Sequence, residues 1–121
     1  MEENRLNMVD NKPDKWVIIK LLGKDKKSPL YKVFATWYGG YNGSDRWKLN
    51  SGISSIEDNE TSYIFHGYSG SKYICSKNEA YYGTSSYTGS VLESMIDSVT
   101  DHTHNTIEVL NYSNNWLELK Y

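Results

Sequence analysis

Aromatic and basic side chains are interleaved in the segment YKVFATWYGGYNGSDRWKLNSG, which begins at Tyr31. If Asn42-Gly43 closes a two-residue hairpin turn, strand alternation places a tryptophan on the same face as two cations. A ring plane beside cations can hold an anionic or planar ligand through stacking and charge–charge contacts. The alternative is that the tryptophan packs under the N-terminal strand and the cations are solvated. The predicted binding residues here are Trp37, Tyr41, Arg46 and Lys48.

A second candidate surface is the segment YYGTSSYTGSV, which begins at Tyr81 and leads into a predicted helix. Tyr, Ser and Gly together form adaptable recognition surfaces, and the N–H groups at a helix start favour anions. The alternative is a long loop whose tyrosine rings only cover the sheet. The predicted ligand-binding or partner-binding residues are Tyr82, Ser85, Ser86, Tyr87 and Thr88.

An acidic stripe follows on the same helix, since Glu93, Asp97 and Asp101 are spaced at i, i+4 and i+8. Residues at this spacing share one face of a helix. The stripe is either a docking surface for a basic partner or an ordinary solvated helix face.

Catalytic and metal-binding patterns are not found in the sequence. It contains no G-x-S-x-G, H-E-x-x-H, Walker or G-x-G-x-x-G motif. Cys75 is the single cysteine and lies in an apolar run, which favours an unreactive buried thiol. His102 and His104 have the spacing of two metal ligands, but no third ligand is placed by spacing. We therefore expect no enzymatic activity, no catalytic residue, no metal and no cofactor.

The elements that position these residues indicate an α+β domain. Short apolar runs separated by turn signals predict strands, and apolar residues at helical spacing predict one amphipathic helix, capped by Thr88 or Ser90. The expected fold is an antiparallel β-sheet of about five to six strands with the helix packed on one face. The predicted strands are 16–22, 30–38, 46–53, 62–68, 72–76, TIEVLNY and WLELKY, and the predicted helix is 88–100.

The hairpin at Asn42-Gly43 sets a register for the first candidate surface. In that register Tyr38 lies opposite Trp47, and Thr36 lies opposite Leu49. The face without cations is expected to lie on the helix side, because a core excludes Arg and Lys. Trp37 is then the more exposed of the two tryptophans in the hairpin. The residues assigned to the helix side are Phe34, Thr36, Tyr38, Trp47 and Leu49.

Length and charge limit the classes of protein that fit. The 121 residues suggest a flexible lead over 1–14 and a single α+β domain over 15–121. A formal net charge of −2 argues against general nucleic-acid binding, and no apolar run reaches membrane-spanning length. The polar start suggests that there is no secretion signal, so we expect an intracellular protein without membrane partners. An exposed WLELKY edge strand would allow a homodimer.

Four strings, KVFATWYGGY, WKLNSGI, FHGYSGSKYIC and YGTSSYT, resemble small uncharacterised accessory proteins encoded by tailed bacteriophages. The resemblance covers residues 16 to about 112 and brings no known activity or functional residue with it. It implies an accessory protein that acts in the cytoplasm of a bacterial host.

Two hypotheses of function follow. The first is a non-enzymatic protein that binds and modulates or inhibits a host protein, such as an anti-phage defence factor, with aromatic anchors supplying most of the binding energy. The alternative is a protein that binds or sequesters a small anionic, nucleotide-like signal, because aromatic planes stack bases and cations hold phosphates.

Overall fold

The fold has three layers, two β-sheets and one helix. The computed structural model describes residues 10–23, 28–39 and 44–121. Within these residues the long helix is α1 (Ser86–His102), and single 3-10 turns lie at Glu79–Tyr81 and Trp116–Glu118. The strands are β1 (Asp10–Asn11), β2 (Lys15–Leu22), β3 (Leu30–Trp37), β4 (Arg46–Leu49), β5 (Ile53–Asp58), β6 (Ser62–Gly67), β7 (Lys72–Ser76) and β8 (Thr106–Val109).

Each sheet has four strands. One has the order β1-β7-β6-β5 and the other has the order β4-β3-β2-β8. Neighbouring strands pair antiparallel except β1 and β7, which pair in parallel. The α+β class is therefore confirmed, whereas the single sheet of five to six strands is replaced by two sheets of four.

The reason for two sheets is a corner at residues 50–52. The predicted strand 46–53 ends at Leu49, and the next strand, β5, starts at Ile53 in the other sheet. At the corner, the buried Asn50 side chain accepts a hydrogen bond from the backbone N–H of Val33 at 2.9 Å. Gly52 has φ +137°, a conformation that favours glycine. The first three residues of the acidic segment IEDNE, which begins at Ile56, form the second half of β5.

The core between the sheets is mainly aromatic. The ring of Trp16 lies 4.8 Å from that of Tyr82 and 5.9 Å from that of Trp116, measured between centroids. Large aromatic side chains compensate here for the low aliphatic content, because each buries a large area. The buried residues of this cluster are Trp16, Ile18, Tyr31, Val33, Ala35, Ile53, Tyr63, Phe65, Tyr73, Cys75 and Trp116.

The helix α1 packs on the sheet β4-β3-β2-β8, on the face that points away from the other sheet. There Val17, Ile19, Phe34 and Leu92 form a second buried cluster, with Leu49, Met95 and Ile96 packed against it. The expectation that Phe34, Thr36 and Leu49 face the helix is confirmed. The helix begins at Ser86 rather than residue 88, because Ser85 is its N-cap and forms a capping box with Thr88.

Both ends of the chain differ in detail from expectation. WLELKY is not a strand: its first residues form a 3-10 turn that buries Trp116, so the edge that suggested a homodimer is not present. Residues 1–9 of the expected lead lie outside the described residues, whereas Asp10–Asn11 form β1. Within the described residues, no helix is both long and apolar enough to span a membrane.

Candidate functional site

The candidate site is a cleft of about 450 Å³ beside β4, which we call the β4 cleft. It combines aromatic, cationic and acidic side chains from β1, the β3–β4 hairpin and the start of α1. Its lining residues are Asp10, Asn11, Lys12, Trp37, Asp45, Arg46, Trp47, Lys48 and Tyr87.

Trp37 and Arg46 form the centre of the β4 cleft. They are directly opposite each other in the β3–β4 register, and the guanidinium carbon of Arg46 lies 5.7 Å from the Trp37 ring centroid. Trp37 is half-buried and its Nε1–H donates to the carbonyl oxygen of Lys12 at 3.1 Å. The ring is thus held in place by the chain after β1, with Arg46 beside it. In the expected register, Lys48 would lie opposite Trp37. It instead lies opposite Ala35, and its Nζ donates to Asn11 Oδ1 at 3.3 Å.

The register of this hairpin differs from expectation by two residues. Trp47 lies opposite Thr36, and Leu49 lies opposite Phe34, so the predicted Tyr38–Trp47 pair is wrong. An even shift leaves the side chains of β3 and β4 on their predicted faces, because side chains alternate with a period of two. Tyr38, which was also assigned to the helix side, lies after the end of β3 and is exposed. The turn Asn42-Gly43 and Tyr41 lie outside the described residues.

Trp47 is the more accessible tryptophan. It is 38% exposed and stacks on Phe34, with ring centroids 5.5 Å apart and an interplanar angle of 17°. The expectation that Trp37 is the more exposed ring is therefore wrong. The cause is the core between the two sheets, against which the Trp37 ring packs.

The lining of the β4 cleft has three cationic side chains, Lys12, Arg46 and Lys48, and two carboxylates, Asp10 and Asp45, so its formal charge is positive. Asp10 is paired with Lys72 at 3.7 Å, outside the cleft lining. Asp45 accepts a hydrogen bond from the Gly39 N–H at 2.7 Å, and this bond, together with one from Ser85, lowers the pKa of its carboxyl group. By contrast, Lys12 and Arg46 form no ion pair with any residue in the described parts of the chain. An anionic group is thus the complementary ligand.

The binding residues predicted in the segment YYGTSSYTGSV do not lie together in the structure. Tyr87 is 56% exposed and lines the β4 cleft, so Trp37, Arg46, Lys48 and Tyr87 are brought together. Ser86 is exposed but lines a neighbouring groove along α1, as does Ser85. Thr88 is buried and hydrogen-bonds to Thr36, with the two hydroxyl oxygens 2.8 Å apart.

Tyr82 has a structural position away from the β4 cleft. Its hydroxyl accepts from the N–H of Ile18 at 3.0 Å and donates to the carbonyl of Leu110 at 2.6 Å. Burial raises the pKa of Tyr82 to about 12. These two hydrogen bonds link β2 to the segment after β8, and both partners of the Tyr82 hydroxyl are backbone groups.

Five lining residues were not predicted: Asp10, Asn11, Lys12, Asp45 and Trp47. Three of them depend on the parallel pairing of the two-residue strand β1 with β7, for which the sequence has no local signal. Trp47 was assigned to the core face, which is correct, but β4 is an edge strand and the ring remains accessible from the side.

The remaining candidates lie elsewhere. Glu93, Asp97 and Asp101 are exposed on the outer face of α1, and docking there stays a prediction. Cys75 is fully buried, as expected, and burial raises the pKa of its thiol. His66 contacts Glu57, and His102 Nδ1–H donates to the carbonyl oxygen of Ser98 at 3.0 Å. In residues 10–23, 28–39 and 44–121, no three His, Cys, Asp or Glu side chains are grouped as a metal site.

Comparison with known proteins identifies no relative: no family model, no curated protein and no solved structure matches this chain.

Proposed function

We propose that this chain is a non-enzymatic binding protein and that the β4 cleft is its binding surface. The observation that carries the proposal is that Trp37, Trp47 and Tyr87 line the same cleft as Arg46, a cation without a carboxylate partner among the described residues. Trp, Tyr and Arg are the residues that most often supply the binding energy of protein–protein interfaces. The ligand that fits best is a partner protein with an acidic contact region.

The resemblance to phage accessory proteins supports a bacterial partner. In this proposal the chain acts in the host cytoplasm and inhibits a host protein, such as a defence factor, by occluding part of its surface. Inhibition by occlusion needs a complementary surface and no catalytic group, which is consistent with the absence of catalytic motifs from the sequence.

The proposal is tested by capture from a bacterial lysate with the full chain as bait. Arg46→Glu reverses the central charge of the β4 cleft, and Lys120→Glu makes the same change in net charge at an exposed position outside it. We expect a host protein that is enriched by the wild-type chain and by Lys120→Glu but not by Arg46→Glu. Equal enrichment by all three folded baits, or no enriched protein, would contradict the proposal.

A second candidate function is sequestration of a nucleotide-like signal. The Arg46–Trp37 pair favours it, because a base can stack on a ring while a guanidinium binds phosphate, and the cleft volume is in the range of small-molecule sites. The carboxylates of Asp10 and Asp45, which also line the cleft, oppose a ligand with several phosphates. Calorimetry against a panel of nucleotides distinguishes the two functions: heat from one nucleotide, lost in Arg46→Glu, supports sequestration, and no heat from any excludes it for that panel.

A further inference from the structure

The β4 cleft follows the edge of a strand rather than one face of a sheet. Asp45, Arg46, Trp47 and Lys48 are consecutive, and all four line it. Successive side chains of a strand point to opposite faces, so a cleft lined by four in a row must run along the strand's side. β4 is the last strand of its sheet, and among the described residues it pairs with β3 alone.

The backbone of that edge has groups available for pairing. The N–H of Asn50 donates to the carbonyl of Val33 at 3.0 Å, so positions 33 and 50 form a hydrogen-bonded pair. Hydrogen-bonded and non-hydrogen-bonded pairs alternate along an antiparallel ladder. Position 48 therefore bonds towards β3, whereas the N–H and C=O groups of Trp47 and Leu49 point away from it, to the side on which no described strand is paired.

We propose that the partner binds by adding an extended acidic segment to β4 as a further strand. This inference rests on the proposed binding function and specifies the mode and the chemistry of recognition. Strand addition to an open edge obtains affinity from main-chain hydrogen bonds and specificity from alternate side chains. The N–H and C=O groups of Trp47 and Leu49, which point away from β3, supply the affinity. The side chains on the two sides of β4 supply the specificity.

The two sides of the edge recognise different side chains. On one side Arg46 and Lys48 lie in a row, with Lys12 nearby in the same cleft, and they favour carboxylates. On the other side Trp47 and Tyr87 offer exposed rings, which favour apolar side chains. The segment that fits has acidic and apolar residues in alternation.

The test uses the full chain and capped six-residue peptides of alternating Glu and Val, titrated to millimolar concentration and followed by NMR. In one peptide the valine amides are N-methylated and in another the glutamate amides are. Only one alternate set of amides can face β4, so one methylated peptide should lose at least about tenfold in affinity while the other keeps it within about twofold. A Lys–Val peptide should not bind, and Arg46→Glu should lose binding of the Glu–Val peptide while Lys120→Glu retains it.

Several results would overturn strand addition. The first is that the Glu–Val peptide does not bind the folded chain. The second is that both methylated peptides lose affinity equally or both retain it. The third is that the Lys–Val peptide binds as tightly as the Glu–Val peptide. A chain that is dimeric by light scattering and becomes monomeric in Arg46→Glu would show that β4 pairs with a second copy instead. In each case, a host protein that is captured by the wild-type chain but not by Arg46→Glu would still support the proposed binding function. Failure of strand addition can therefore be distinguished from failure of the binding function.

Discussion

The hydroxyl oxygens of Thr36 on β3 and Thr88 in the first turn of α1 lie 2.8 Å apart in a fully buried position. Thr88 also accepts from the N–H of Ser85 at 3.0 Å as part of the helix cap. The pair ties the start of the helix to the β3–β4 hairpin. Tyr87, the adjacent residue, is thereby held at the β4 cleft.

This pair makes a prediction about stability. Thr88→Val removes the bond to Thr36 and disrupts the cap, so we expect a loss of about 2 kcal/mol in the free energy of unfolding. Thr36→Val leaves Thr88 bonded to Ser85 and should lose about 1 kcal/mol. The double variant should lose less than the sum of the single losses, because the shared bond is counted twice. Denaturant unfolding measures all three values, and strict additivity would show that the two hydroxyls are not coupled.

The corner at Gly52 makes a second prediction. A Cβ there would lie 2.8 Å from Leu30 Cδ1 and 2.9 Å from Tyr68 Cδ2, in addition to the strain of φ +137°. At Gly83, φ is +151° but the nearest atom to an added Cβ is 3.6 Å away. Gly52→Ala should therefore lose about 1–3 kcal/mol more stability than Gly83→Ala, since only the first adds overpacking. Equal losses in thermal or denaturant unfolding would mean that the corner is not tightly packed.

Alkaline pH tests the position of Tyr82. Its pKa is about 12 in the folded chain and about 10 when exposed, so the folded state holds the proton more tightly. The resulting stability is fully present below about pH 10 and is lost as the pH rises towards 12. Tyr82→Phe should flatten the loss of stability over this interval. Tyr73 retains part of the pH dependence, because burial raises its pKa as well. An identical pH profile for Tyr82→Phe and wild type would contradict the assignment.

The two tryptophans of the hairpin should differ in their effects. Trp37 packs against the inter-sheet core and donates a hydrogen bond to Lys12, so Trp37→Ala should lose about 2–4 kcal/mol of stability. Trp47 is more exposed, and Trp47→Ala should lose less. Both variants should weaken capture of the host partner, because both rings line the β4 cleft. A larger stability loss for Trp47→Ala, measured by denaturant unfolding, would reverse the assignment of the two rings.

The local features of the fold could be predicted from the sequence. Alternation placed Phe34, Thr36 and Leu49 on the helix side correctly, and helical spacing located α1 to within two residues at each end. The division into two sheets could not be predicted, because the corner at Asn50 depends on a buried side-chain bond to Val33, a contact between distant positions.

The candidate site was predicted in part for the same reason. Trp37, Arg46 and Lys48 follow from strand alternation, a local property. Lys12 reaches the β4 cleft only because β1 pairs with β7, and Thr88 is removed from it only because Thr36 lies opposite in the packed structure. Local patterns do not determine such tertiary contacts.

We propose the β4 cleft as the surface that binds a partner. Hydrogen exchange of the chain, free and bound to the captured host protein, tests it most directly. We expect exchange to slow in peptides covering 44–49 and 10–12, with the amide of Trp47 among those protected, and to stay unchanged across the acidic stripe at 93–101. Protection of the stripe, with residues 44–49 exchanging as in the free chain, would contradict it.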